Sequence, residues 1–138
     1  MSSETINYYN QNAADFAAAT DQIDMTALYA AFLPWVKTGG HILDAGCGSA
    51  RDAAYFKQLG FSVSAFDASS ALAEIASKRL KQPVAVQQFE QLNDLELYDG
   101  IWCCASLLHV STDTLPSVLS RLQRALKPSA VTAAKSHH

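Results

Sequence analysis

The sequence predicts a doubly wound α/β fold on a mostly parallel sheet, and three observations carry that expectation. Short apolar runs of strand type alternate with stretches of helical period. A glycine turn, Gly46-Cys47-Gly48, follows the first such run, and an aspartate, Asp67, closes the second. Short connections between alternating strands and helices leave few topologies other than right-handed crossovers along one sheet.

The elements follow in order. Met25, Leu28, Tyr29, Phe32, Leu33 and Val36 recur at i, i+3, i+4, i+7 spacing and form one helical stripe. Pro34 and then Gly39-Gly40 bring that helix to its end. His41 to Ala45 reads as a strand, Ala50 to Leu59 as a helix with Gly60 as its stop, and Phe61 to Phe66 as a second strand. Ser70 to Leu80 is helical, and Val84 to Phe89, opened by Pro83, is a third strand. Ile101 to Ala105 is continuously apolar, as expected of a central parallel strand covered on both faces. A last helix carries Leu115, Val118, Leu119, Leu122 and Leu126.

The 138 residues make about one domain if a domain runs to ~150, so residues 1–138 are read as a single unit. With 49% hydrophobic and 17% charged residues the chain is expected to fold rather than stay disordered. The net charge of −3 and the lack of a basic run argue against a nucleic-acid partner, which needs cations to displace counterions. The longest apolar stretch, Ala27 to Val36, falls far short of the ~20 residues that span a bilayer and contains Pro34, so no membrane association is expected. Met1 to Asn12 lacks the basic start and apolar middle of a secretory signal, which predicts a cytoplasmic protein. Cys47, Cys103 and Cys104 have no metal-ligand spacing, and reduced thiols are the plain reading.

In doubly wound sheets ligands bind beyond the carboxyl ends of the strands, where successive connections leave in opposite directions. The Asp44 to Ser49 turn falls there. Its glycines allow a sharp turn and a close backbone approach, and the helix that follows offers free N–H groups to an anion. Asp67 lies 21 residues after Gly46, at a strand end from which a carboxylate can accept bonds from both ribose hydroxyls. A nucleotide-like cofactor is the expected guest. A dinucleotide fingerprint wants a third glycine where this chain has Arg51, and Asp44 would repel a pyrophosphate. The same carboxylate could pair with the α-ammonium of S-adenosylmethionine (SAM), whose carboxylate would meet the helix N-terminus and Arg51.

Four segments then occur in order: Leu43 to Asp52, Phe66 to Ser69, Asp99 to Trp102, and Ser106 to Val110. From about Tyr8 to Pro128 the chain resembles the class I SAM-dependent methyltransferases, and within them the small-molecule and tellurite-resistance-type enzymes. The resemblance implies a Rossmann-like fold and transfer of a methyl group from SAM to a small-molecule acceptor. It also implies that Gly46, Cys47, Gly48 and Ser49 cradle the methionine part and that Asp67 with Ala68 holds the ribose. Gln88, Phe89 and Glu90 would meet the adenine, Cys104 and Ala105 would lie beneath the sulfonium, and Tyr8 and Tyr9 would belong to a segment that closes over the cofactor. His109 is the candidate base for acceptors that lose a proton.

Plainer readings stand beside these. Asp67 could cap the helix starting near Ser69, Arg51 could be a solvated helix residue, Cys47 a small space-filler, and His109 a partner of a nearby backbone group. Relatives resume after the Leu-Lys-Pro segment with a fifth strand, a helix and a closing hairpin, whereas this sequence runs ten residues past Pro128. Ala130 to Ala134 is read as at most a stub of strand, giving a fold that lacks its last strands and is incomplete at the C-terminus. The fourth strand would then have an uncovered edge inviting self-association. The alternative functions are a weak or inactive remnant that binds SAM or adenosine and, less favoured, an NAD-binding domain.

Overall fold

The sheet is built outward from β1 (His41–Ala45), whose side chains alternate between two buried faces. Ile42 packs with Tyr29, Phe56 and Trp102 on one side, and Leu43 packs with Phe66, Ile101 and Leu122 on the other. The period of two sends neighbouring residues to opposite faces, so a strand covered by helices on both sides has to be apolar throughout. The computed structural model describes residues 1–104 and 106–135.

Five parallel strands lie in the order β3-β2-β1-β4-β5, formed by β1, β2 (Ser62–Asp67), β3 (Ala85–Val86), β4 (Tyr98–Cys104) and β5 (Leu126–Lys135). The chain runs outward from β1 to β2 and β3, then returns to place β4 on the other edge of β1. This reversal puts the switch point at the carboxyl ends of β1 and β4. The doubly wound α/β class and the mostly parallel sheet agree with the sequence reading.

The helices are α1 (Ser3–Gln11), α2 (Ala13–Asp21), α3 (Thr26–Phe32), α4 (Arg51–Gln58), α5 (Ser70–Leu80) and α6 (Leu115–Ala125). The stripe read from Met25 to Val36 is α3 followed by one 3-10 turn over Leu33–Trp35, where Pro34 sits. Helix α4 starts one residue later than expected, because Ala50 takes the left-handed conformation, φ 67°, and kinks the chain into Arg51. Helix α5 is capped by Ser69, whose side chain accepts from the Leu72 amide at 3.1 Å. The third strand is shorter than Val84 to Phe89. Only Ala85 and Val86 pair with β2, and Phe89–Gln91 form a 3-10 turn closed by a reciprocal Gln88–Gln91 cap.

The C-terminal expectation needs correction. Where at most a stub was expected, Leu126–Lys135 forms a strand of ten residues whose backbone pairs with β4 from Gly100↔Val131 to Cys104↔Lys135. The edge of β4 is therefore covered, and self-association through it loses its basis. The sheet ends instead at β3 and β5. Alanines favour strands poorly, so the segment carries little local signal, and pairing with a neighbouring backbone overrides it. Helix α6 passes straight into β5, with Ala125 the last helical residue and Leu126 already extended at φ −79°, ψ 142°.

Candidate functional site

The site grows from the tip of β1. Gly46 (φ 72°) and Gly48 (φ 57°) take left-handed backbone that other residues adopt at a cost, and they turn the chain sharply onto α4. Two amides of the turn, those of Gly46 and Cys47, donate to the Phe66 carbonyl on β2 at 3.0 and 2.9 Å. A Cβ on Gly48 would come within 3.2 Å of the Phe16 ring, so α2 packs against the loop almost at backbone distance.

Asp67, at the end of β2, ties this loop to the next one. Its Oδ1 accepts from the Gly48 amide at 3.0 Å and its Oδ2 from the Ser69 amide at 2.9 Å. Burial raises its pKa, against the lowering effect of those two amides and of the nearby His109. Each carboxylate oxygen keeps a further lone pair for a ligand.

A cleft opens above these two strand tips, with an empty volume of ≈ 710 Å³ that includes its mouth and the solvent in it. It is lined by Gly46, Gly48, Asp67 and Ala68 from the two strand tips, by Gln87, Gln88, Phe89 and Glu90 from the segment after β3, and by Tyr9, Phe16, His109 and Val110. The Tyr9 hydroxyl lies 2.9 Å from His109 Nε2, and its ring meets Phe16 edge-on at 5.1 Å between centroids. Burial and the Asp67 charge push the Tyr9 phenol upward, so it stays protonated and able to donate to the imidazole. Helix α1, which carries Tyr9, is held by Asn10. The Asn10 Oδ1 accepts from Ser69 Oγ at 2.6 Å and from the Ala71 amide at 3.0 Å, at the start of α5.

Of the residues singled out in the sequence, Gly46, Gly48, Asp67, Ala68, Gln88, Phe89, Glu90 and His109 line this one cleft. Several others do not. Tyr8 is 60% exposed and Tyr9 takes the place expected of it, because Asn10 fixes the rotation of α1. Arg51 turns away from the cleft, ion-paired with Asp52 at 2.9 Å and donating to the Thr20 carbonyl at 2.7 Å. Cys47 packs against the core beneath the loop, and Ser49 is buried within the turn. Burial raises the Cys47 thiol well above its usual pKa, which leaves it a space-filler. Asp44 is only 2% exposed and lies behind the loop instead of on the cleft wall. The side chain of Cys104 and the whole of Ala105 lie outside the described residues.

Sequence reasoning missed Phe16, Leu72, Gln87 and Val110. Phe16 left a trace, as the lone aromatic in the alanine-rich α2. The described residues hold no cluster of three or more potential metal ligands and no helix long and apolar enough to cross a membrane.

A family model described as a methyltransferase domain matches residues 42–129, more than half of the chain. The chain belongs to that methyltransferase-domain family. No curated protein sequence matches it. Among solved structures the domain resembles the 1,6-didemethyltoxoflavin-N1-methyltransferase of Burkholderia thailandensis, a complex with 1,6-didemethyltoxoflavin and S-adenosylhomocysteine. The TM-score is 0.74 at 24% identity, over 90% of this chain and 57% of that one. A TehB-like SAM-dependent methyltransferase of Corynebacterium glutamicum aligns with TM-score 0.71 and 23% identity, over 94% and 71%. The DhpI complex with S-adenosylhomocysteine aligns with TM-score 0.71 and 22% identity, over 92% and 64%. At these identities the likeness is one of fold, and the methyltransferase domain spans little more than half the length of the Burkholderia protein.

Proposed function

We propose that the cleft of this methyltransferase domain binds SAM and that the protein transfers its methyl group to a small-molecule acceptor. The observation that carries the reading is the pairing of the β1 glycine loop with the β2 carboxylate in one cleft, joined by the bond from the Gly48 amide to Asp67. The residues fit the cofactor. Asp67 has lone pairs to spare for two ribose hydroxyls, and Gln88 and Glu90 supply polar groups beside the apolar Phe66 and Phe89. The Burkholderia and DhpI structures, both holding S-adenosylhomocysteine, support the same guest.

When bound, SAM supplies a methyl group on a positively charged sulfur, and in-line displacement by an acceptor lone pair needs no protein nucleophile. The chain's part is to orient the partners and to exclude water. Tyr9, Phe16 and Val110 line the cleft with Asp67, which in this reading holds the nucleoside end. For acceptors that lose a proton on methylation, His109 Nε2 is the group in reach, exchanging its Tyr9 partner for the acceptor.

Calorimetric titration with S-adenosylhomocysteine tests the cofactor, with saturable binding expected. NADH binding more tightly than S-adenosylhomocysteine would overturn the reading. Binding of SAM without turnover on any acceptor supplied would favour a binding module over an enzyme.

A further inference from the structure

Two sides of the cleft come from segments far apart in the chain, and a side chain outside its lining joins them. Ser69 is wholly buried at the start of α5. Its amide donates to Asp67 Oδ2 at 2.9 Å, and its Oγ accepts from the Leu72 amide at 3.1 Å and donates to Asn10 Oδ1 at 2.6 Å. The Ala71 amide donates to the same Asn10 oxygen at 3.0 Å, and Ser70 Oγ makes a longer contact with it at 3.4 Å. Asp67 thus receives an amide on each oxygen, Gly48 on Oδ1 and Ser69 on Oδ2, which fixes the plane of the carboxylate and the direction of its free lone pairs. Asn10 anchors the residue that supplies the second amide.

The other side of the cleft depends on the same oxygen. No residue of α1 is fully buried, so the docking of this helix leans on hydrogen bonds. Among the described residues these run from Asn10 to the start of α5 and from the Tyr9 hydroxyl to His109. We propose that Asn10 is a positioning residue for cofactor binding: its amide oxygen holds Ser69 in place beneath Asp67 and keeps Tyr9 turned into the cleft. The inference rests on the proposed SAM site and assigns it a residue that does not line it. Removing the oxygen leaves the buried Ser69 hydroxyl and the Ala71 amide without their acceptor, and the first turn of α5 shifts to regain one. Asp67 then keeps its charge and its Gly48 bond and loses its orientation, which a binding site needs held to within a fraction of an ångström. An anchor of stability alone would lower the urea midpoint and leave ligand affinity where it was.

The test is calorimetry of S-adenosylhomocysteine binding to single variants, each with its urea midpoint measured alongside. Asn10→Ala should weaken binding by about tenfold, as expected for a lost hydrogen bond to a group that stays buried. Asn10→Asp keeps the accepting oxygen at the positive end of α5 and should restore affinity to within about threefold of the wild type. Asp21→Ala cuts another tie of α2 to α5, the half-exposed pair with Arg79 at 2.7 Å, and should change affinity by less than about twofold. Equal affinity in Asn10→Ala and the wild type would overturn the inference, as would a loss that Asn10→Asp leaves unrepaired or that Asp21→Ala reproduces. Absence of binding by the wild type would remove the SAM site itself, and the inference with it. Amide hydrogen exchange on the wild type decides the matter even where Asn10→Ala fails to fold. Coupling is reciprocal, so S-adenosylhomocysteine should slow exchange at the Ala71 amide by at least about threefold, and an unchanged rate there would overturn the inference.

Discussion

Asp67 is both a strut and a ligand candidate. Its two oxygens hold the amides of Gly48 and Ser69, so Asp67→Ala should orphan two donors as well as remove the ribose contact. We expect S-adenosylhomocysteine affinity to fall at least tenfold and folding stability to drop by about 1–3 kcal/mol, read by calorimetry and urea unfolding. Asp44 has the opposite character. Its acid form is favoured in the folded state, so its own contribution to the stability of the free domain is fully present below the aspartate pKa of the unfolded chain. That stability is lost as pH rises through the window up to the raised folded value. Asp44→Asn should therefore be the more stable protein near pH 7 without ligand, with the gap closing toward about pH 4 in urea titrations across pH. Asp67 and the two glycines were legible in the sequence because one βαβ unit fixes their separation. The choice of Tyr9 over Tyr8 was not. One step along a helix rotates a side chain by about 100°, and the docking of Asn10 on α5, 59 to 61 residues away, decides which face turns inward.

At the scale of elements, alternating periods marked the strands and helices that bury much apolar area, and faltered where tertiary contact overrides local preference. The left-handed Ala50 delays α4, the third strand shrinks to two residues, and the alanine-rich tail becomes β5. Gly100 is a related case. Next to Asp99 it reads as a turn before a strand, yet it lies inside β4, where a Cβ would come within 3.0 Å of both Phe32 and Val36. The glycine lets the end of α3 and the residues after it sit close on the sheet. Gly100→Ala should force these side chains apart and cost about 1–3 kcal/mol, visible as a lower urea midpoint with an unchanged slope.

At the scale of the whole molecule, one layer of strands separates two apolar clusters, centred on Phe56 and Trp102 on one face and on Ile101 and Leu122 on the other. Because β1 and β4 contribute to both, neither cluster can loosen alone. Phe56→Ala and Leu122→Ala, on opposite faces, should each destabilise by about 2–5 kcal/mol and each still unfold in a single transition at the same midpoint by fluorescence and circular dichroism. Two separate transitions in either variant would show that the faces are independent.

The passage of α6 into β5 without an intervening loop has a mechanical meaning. A junction with no slack cannot act as a hinge, so tension on the final strand is borne at once by the helix whose Val118, Leu122 and Ala125 are rooted in the second cluster. Inserting a few glycines between Ala125 and Leu126 would decouple the two, freeing the strand to fray while the helix stays seated.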